Sequence, residues 1–301
     1  MIDILLATFD SERFLAAQID SVLSQTNRDW RLLVRDAGST DATVEIVERY
    51  AASDPRIVSI PGGSADARGS FAALLAASTA PYVMFCDHDD VWMADKIDRT
   101  VGRLRELEKS LPSGTPALVF TDAVVVDESL AELSPSFFAR SRLDPSRIAP
   151  NELVFQNVAP GCSMAFNAAL REKALPIPEN AVMHDHWMML VASVFGRIEC
   201  ISEPSFLYRQ HGDNVLGSPD VGVRYFLRWL LRGRAVQRAR FYANVRQARA
   251  FVECFGDGVP ECLRVAGRLD EMGFFARRAA IVRHGLFKCG IMRNIGTFFV
   301  A

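Results

Sequence analysis

The densest group of chemistry-bearing side chains in this 301-residue sequence is Asp87-His88-Asp89-Asp90, set between the apolar run Tyr82-Val83-Met84-Phe85-Cys86 and Val91-Trp92. Carboxylates this close repel one another, and a hard divalent cation such as Mg2+ or Mn2+, which prefers oxygen ligands, relieves that repulsion. Such an ion also bridges diphosphate oxygens and stabilises the charge that develops on a departing nucleotide. The same residues equally suit the acidic N-terminus of a helix starting at Val91, capped by Asp89 or Asp90.

Three further clusters carry chemistry. In Met183-His184-Asp185-His186-Trp187 a carboxylate opens an apolar helix between two imidazoles. A base that removes a proton from a sugar hydroxyl must sit on a rigid element, which Asp185 does, although an N-cap role would explain the same residue. Histidines two apart on a helix do not face each other, so His184 and His186 do not make a joint metal site. Asp36, in Asp36-Ala37-Gly38-Ser39-Thr40-Asp41, has the acceptors to read the N–H of a pyrimidine base, with Gly38 allowing close backbone approach, or it is a turn residue ahead of a cap at Asp41. In Tyr208-Arg209-Gln210-His211-Gly212-Asp213-Asn214, Arg209 is suited to phosphate and His211 to completing a metal's coordination.

Such groups need a scaffold that brings them together. The run Ile2–Thr8, the segment Trp30–Val34, Ile57–Ile60 and Tyr82–Cys86 read as buried strands, with helical patterns after Ser11, after Asp41 and from Phe71 to Ser78. This alternation implies an α/β fold with a mostly parallel sheet flanked by helices, whose ligands gather at the carboxyl ends of the strands. Asp10, Asp36 and Asp87 each follow a strand and should share one rim. Ala117–Phe120 and Ala123–Val126 read as two more strands, His184–Phe195 as a helix, and Pro204–Tyr208 as an extended segment.

Half the residues are hydrophobic and 23% are charged, which fits a globular chain with a sizeable core. The start shows neither a signal peptide nor a spanning helix, so a cytoplasmic protein is expected. Six scattered cysteines without a C-x-x-C pair read as reduced thiols. No G-x-G-x-x-G or G-x-x-x-x-G-K-[ST] occurs, which disfavours a dehydrogenase or a P-loop nucleotidase. The net charge of −2 hides an asymmetry: residues 222–301 hold 15 Lys and Arg against 5 Asp and Glu, leaving 19 against 31 for residues 1–221. Arginines interleave with aromatic and aliphatic residues from Arg224 to Arg249, and Arg277, Arg278, Arg283, Lys288 and Arg293 repeat the pattern. This basic helical region either packs on the rest of the chain or lies peripherally on an anionic leaflet of the plasma membrane. Nucleic acid is not expected, because the acidic body would repel it.

In order, ATFD, DAGSTD, DHDDVW, SPSFF, QN with PGC, MHDHW and YRQHGDN resemble the family-two glycosyltransferases of GT-A fold, and within them the bacterial rhamnosyltransferase-like branch, over residues 2–217. The resemblance implies a GT-A type, Rossmann-like catalytic domain over 1–220, with a nucleotide-sugar half (1–100) and an acceptor half (101–220), followed by a helical appendage over 221–301. It implies Asp36 at the base, Thr8 and Asp10 near base and ribose, Arg68 near base or diphosphate, and Asp87, His88 and Arg209 around the nucleotide sugar. Asp89 and His211 would hold the divalent metal and Asp185 would be the catalytic base. The reaction implied is a single inverting displacement that moves a sugar, rhamnose from dTDP-rhamnose first among candidates, from a nucleoside diphosphate to a glycan acceptor that is lipid-linked in many relatives. A UDP-sugar transferase of another hexose and a non-catalytic nucleotide-sugar-binding subunit are the alternatives. The sequence departs from the family pattern at Asp10, Ala37 and His88, where Asn, Asp and Gln are usual.

Overall fold

The computed structural model describes residues 1–212 and 233–301, so the expected boundary near residue 220 and the positions of Asp213, Asn214, Arg224, Arg228 and Arg232 lie outside the described residues. The N-terminal elements are β1 (Ile2–Thr8), α1 (Leu15–Leu23), β2 (Trp30–Asp36), α2 (Thr43–Ser53), β3 (Ile57–Ser59), α3 (Ala67–Ala77), β4 (Tyr82–Cys86), β5 (Val91–Trp92) and α4 (Lys96–Lys109). Then come β6 (Ala117–Val126), β7 (Glu132–Ser134), α5 (Phe137–Ser141), α6 (Pro150–Leu153), β8 (Met164–Asn167), α7 (Ala168–Ala174), α8 (His184–Phe195) and β9 (Arg197–Arg209). The C-terminal helices are α9 (Gly233–Phe255), α10 (Glu261–Ala266), α11 (Phe274–Arg283) and α12 (Ile291–Val300).

One nine-stranded sheet runs β3-β2-β1-β4-β8-β6-β9-β5, with β7 on β6. The stretch β3-β2-β1-β4 is parallel, and its strands are near-continuous apolar runs because helices cover both faces. Thr8 pairs with Asp36 and Leu6 with Cys86, so β1 and β2 end level, β4 ends two residues earlier, and Asp10, Asp36 and Asp87 come to one rim, as the sequence pattern requires. Beyond β4 the sheet turns mixed, since β8 is antiparallel to both β4 and β6.

Several local details differ from expectation. Val91-Trp92 does not begin a helix; it forms β5, antiparallel to Leu207 and Phe206 of β9, which removes the helix-cap reading of Asp89 and Asp90. The two strands expected within 117–126 are one, kinked in register around Asp122. The Asp122 carboxylate explains the kink, because it accepts from Ser136 Oγ and from the N–H groups of Ala123, Phe137 and Phe138. The first helix starts at Leu15 rather than Ser11, because the Ser11 N–H donates to Thr43 Oγ1 (2.6 Å) and its hydroxyl to Phe9 O (3.0 Å).

The C-terminal helices share the core of the sheet domain. Phe241 stacks on Phe155 (5.1 Å, 8° between planes), Phe251 and Phe255 pack on Trp187 and Phe195, and Gln247 Oε1 accepts the Val182 N–H at 2.7 Å. Many of the region's arginines tie backbone carbonyls: Arg277 reaches Leu269 O and Met272 O, Arg278 Phe298 O, and Arg293 Ser141 O and Arg142 O. Burial pushes Lys288 down to about 8. Apart from Arg283, what stays exposed on α11 and α12 is apolar, with Phe275 83% and Ile291 78% accessible beside Phe274 and Phe299. Among the described residues no helix is long and apolar enough to cross a membrane.

Asp3 fastens the start of β1. Fully buried, it accepts from Arg31, Ser78 Oγ and the N–H groups of Thr79 and Ala80. Burial alone would raise its pKa, but these bonds outweigh it and hold the carboxyl below the usual range. Asp3→Ala strands three donors in the interior and should cost about 2–4 kcal/mol, read as a lower urea midpoint with unchanged slope. A depressed folded pKa stabilises above the unfolded value near 4 and ceases to do so as pH falls, so the difference from wild type should shrink in acid. An unchanged midpoint at pH 7 would contradict this role.

Candidate active site

At the carboxyl ends of β1, β2 and β4 lies a cleft of about 880 Å3. Of the residues singled out in the sequence, Thr8, Asp10, Asp87, His88, Asp89, Asp185 and His211 line it, and Asp36, Arg68 and Arg209 do not.

The acidic loop after β4 forms one wall. Asp89 Oδ2 and His211 Nε2 are 2.8 Å apart, which joins two groups 122 residues distant in sequence. Burial, and then the Asp89 charge, raises Asp87 to about 7. Asp90 is fully enclosed, and burial with the Asp89 and Asp87 charges pushes it well above the carboxylate range. Ligand atoms of Asp87, Asp90 and Cys162 fall within 4.8 Å of one another. Burial raises the Cys162 thiol, however, so it stays protonated and suits a hard cation poorly. Asp89 and His211 lie on the cleft wall beside Asp87, where the accumulated negative charge fits a hard cation.

Arg209 braces this loop. Its Nε donates to Asp89 O (2.7 Å), its Nη1 to Glu128 O (2.6 Å), its N–H to Asp90 Oδ1 (3.1 Å), and its guanidinium lies 4.7 Å from the Phe14 ring centre. These contacts support the wall of the cleft from behind.

Asp36 likewise acts on its own loop. Its oxygens accept from Thr8 Oγ1 (2.9 Å), Ser39 Oγ (2.5 Å) and the N–H groups of Gly38 (2.9 Å) and Ser39 (2.8 Å), close to the four bonds a carboxylate can take. Burial would raise its pKa, yet these donors lower it on balance. Gly38 holds the turn at φ 97°. A base that bonded to Asp36 would exchange with one of these donors. Asp10, at φ 43°, accepts from the Thr40 N–H at 2.8 Å and so joins the first two loops. Arg68 points away, to Pro178 O (3.4 Å) and Asp66 (3.5 Å), and it is Asp66 and Ser70 of the same segment that line the cleft.

The start of α8 forms another part of the lining. Asp185 Oδ1 accepts the His186 N–H at 2.6 Å, Asn157 and the Gly161 N–H also donate, and burial still raises the carboxyl to about 6. It sits in the first turn; Met183 occupies the cap position.

Sequence reading missed Arg13 and Phe14 at the mouth, which only the fold of α1 brings there, and Lys96, buried behind the acidic loop with its amine 3.1 Å from Ser205 Oγ. Burial lowers Lys96 to about 8. A lysine at the head of an amphipathic helix gives no sequence signal of such depth.

The family model for glycosyl transferase family 2 matches residues 3–170. A dTDP-rhamnosyl transferase, RfbG of Shigella flexneri, is 24% identical over 71% of this chain and 74% of that protein. The Escherichia coli WfgD, a UDP-Glc:alpha-D-GlcNAc-diphosphoundecaprenol beta-1,3-glucosyltransferase, is 29% identical over 42% of this chain and 49% of that protein. The chain spans 66% of the length of an uncharacterised Nostoc glycosyltransferase to which it is 25% identical. Among solved structures, the Pyrobaculum calidifontis mannosyltransferase PcManGT with GDP-Man and Mn2+ superposes with a TM-score of 0.54 at 17% identity, covering 98% of this chain and 77% of that one. S. aureus TarS with UDP-GlcNAc gives 0.54 at 14%, covering 94% and 79%. Both likenesses establish the GT-A type fold.

The raised Asp185 carboxyl has a consequence for stability. A folded-state pKa of about 6 against about 4 unfolded means that ionisation above pH 6 disfavours the folded chain. Asp185→Asn, which keeps the shape and removes the charge, should stabilise by about 2–3 kcal/mol at pH 7.5, with the gain falling away below pH 6. Chemical denaturation at both pH values measures it; a destabilised variant at pH 7.5 would contradict the assignment.

Proposed function

The chain belongs to glycosyl transferase family 2, and from that premise we propose that it is an inverting hexosyltransferase of bacterial surface-polysaccharide synthesis, with dTDP-rhamnose the first candidate donor. The observation that carries the chemistry is Asp185, a carboxylate poised near neutrality on a rigid helix start, in the cleft that the acidic loop also lines. The name of RfbG supports dTDP-rhamnose, while those of WfgD and the TarS complex keep UDP-sugars as the second reading of the donor.

In the mechanism we favour, the donor's diphosphate lies along Asp89 and His211 and its anomeric carbon faces Asp185. Asp185 takes the proton of an acceptor hydroxyl, the freed oxygen bonds to the anomeric carbon, and the bond from that carbon to the diphosphate oxygen breaks on the opposite side, with inversion. Asp89 and His211, assisted by Asp87, would hold the divalent cation, which when bound supplies positive charge to the leaving diphosphate. Thr8 and Asp10 bound the nucleoside end, and Asp36 shapes that end through the Gly38-Ser39 loop. His88 lies on the wall between the two ends.

A glycan acceptor on a lipid carrier, as in the name of WfgD, gives the exposed apolar face of α11 and α12 a role: it would seat the enzyme on the bilayer that carries the acceptor. Phe274, Phe275, Ile291 and Phe299 supply the insertion and Arg283 an adjacent positive charge.

Two tests follow from this reading. Transfer should rise with pH through about 6 and then level, because Asp185 must be ionised to act; Asp185→Asn should lower the plateau by roughly 10²-fold or more, and Asp89→Ala should abolish the dependence on added Mg2+ or Mn2+. A full plateau in Asp185→Asn, measured as nucleoside diphosphate released across a panel of donors, would sink the assignment. Phe275→Glu combined with Ile291→Glu should reduce sedimentation with anionic liposomes by tenfold or more, since each large side chain loses about 1.5–3 kcal/mol of burial. Equal sedimentation of both proteins would exclude this face as the contact.

A further inference from the structure

The cleft gathers carboxyl groups and very little that could hold an anion. Asp10, Asp66, Asp87, Asp89 and Asp185 line it, and among the described residues Arg13 is the one lysine or arginine in the lining. Arg209 and Arg68 lie outside the lining and donate to protein oxygens, Arg209 to Asp89 O and Glu128 O and Arg68 to Pro178 O. A nucleotide sugar enters with an anionic diphosphate, and a guanidinium matches the geometry of phosphate oxygens better than any other side chain.

Arg13 stands beside the place where the transferase reading puts that diphosphate. It lies in the turn between β1 and α1, and its guanidinium carbon is 4.9 Å from the centre of the Phe14 ring. The His211 ring is also 4.9 Å from that centre, and His211 Nε2 meets Asp89 at 2.8 Å. Arg13, Phe14, His211 and Asp89 are thus neighbours in one stretch of the lining.

The partner that Arg13 has in this structure is one it can exchange. Among the described residues its guanidinium has a single hydrogen-bond partner, with Nη2 donating to Glu128 Oε2 at 2.8 Å, and the two side chains are 58% and 47% exposed. An ion pair this open to water contributes about 0–1 kcal/mol, because solvent screens it and two long side chains lose freedom. Glu128 is itself held in place: its turn closes through the Leu130 N–H to Asp127 O, and Glu128 O accepts Arg209 Nη1 at 2.6 Å. A fixed turn therefore presents the carboxylate to Arg13.

We propose that Arg13 binds the donor's diphosphate and that Glu128 is the partner it leaves to do so. The inference rests on the transferase reading and deepens it by assigning the guanidinium that meets the phosphates. In the empty protein Glu128 keeps the guanidinium at the cleft. A diphosphate, which accepts paired N–H bonds from one guanidinium and is less open to water inside the cleft, is the stronger partner and displaces the carboxylate. Glu128 therefore competes with the donor.

Competition gives the two residues effects of opposite sign. Calorimetry with Mn2+ present first finds which of dTDP, UDP and GDP the wild-type protein binds. Arg13→Gln should weaken that nucleoside diphosphate about tenfold or more, and Arg13→Lys, which keeps the charge and loses the paired bonds, should recover part of the loss. Glu128→Gln should tighten it by about two- to fivefold, the gain from removing an exposed ion pair that binding must break. The double variant should match Arg13→Gln, because Glu128 then has no guanidinium to withhold. Both residues are exposed, so these variants should fold as the wild type does. Equal weakening in Arg13→Gln and Glu128→Gln would mark the pair as a structural latch and overturn the proposal, and so would an unchanged affinity in Arg13→Gln; both leave the transferase reading intact. A wild-type protein that binds none of the three nucleoside diphosphates would remove that reading, and this inference with it.

Discussion

Negative charge crowded into one partly closed cleft is the constraint around which the structure is arranged. Asp87, Asp89 and Asp185 line that cleft and Asp90 lies immediately behind it. Burial raises Asp87 to about 7 and Asp185 to about 6 and, with the neighbouring charges, pushes Asp90 well above the usual carboxylate range, so the group resists carrying its full charge at neutral pH. Nearby cationic and imidazole groups limit the strain without filling the cleft. Lys96 sits behind the loop on Ser205, Arg209 holds the loop's backbone through Asp89 O, and His211 meets Asp89 at 2.8 Å. The cleft face is thereby left attractive to a divalent ion and, through it, to a diphosphate.

Such a site is stable only on rigid supports. The acidic loop is pinned at both ends, by β4 in the parallel half of the sheet and by β5, whose two residues pair with β9. Asp185 stands on a helix start whose N–H groups bond to it, and the rest of α8 is buried beneath the C-terminal helices through Trp187, Phe251 and Phe255. These helices thus fix the position of one part of the cleft lining. Among the described residues Arg249, Arg264, Arg277, Arg278 and Arg293 tie backbone carbonyls, so part of the region's basic composition is spent within the molecule.

The four strands of the parallel half and the rim position of Asp10, Asp36 and Asp87 were legible in the sequence, because buried parallel strands are short apolar runs and strand ends in register define an edge. Asp185 and the acidic loop were legible as residue types at element ends. The short β5 was not, because two residues held by pairing to a strand more than 100 positions away carry no local pattern. Nor were the partners of Arg209 and Arg68, since a guanidinium's contacts depend on carbonyls and carboxylates that the fold brings near it. The contrast between His184 and His186 was equally hidden: one finds Leu153 and Gln247, the other finds only aromatic faces.

The central claim is that Asp185 and the acidic loop act from opposite sides of one anomeric carbon. The most direct measurement is the anomeric configuration of the first-formed product, read by proton NMR from the coupling at the anomeric position while transfer from the identified donor is still in progress. Inversion relative to the donor is the expected result, because the proposed single displacement has the acceptor oxygen, freed by Asp185, attack the anomeric carbon on the side opposite the departing diphosphate. A product that retains the donor's configuration would contradict the single displacement and remove Asp185 from the role of base.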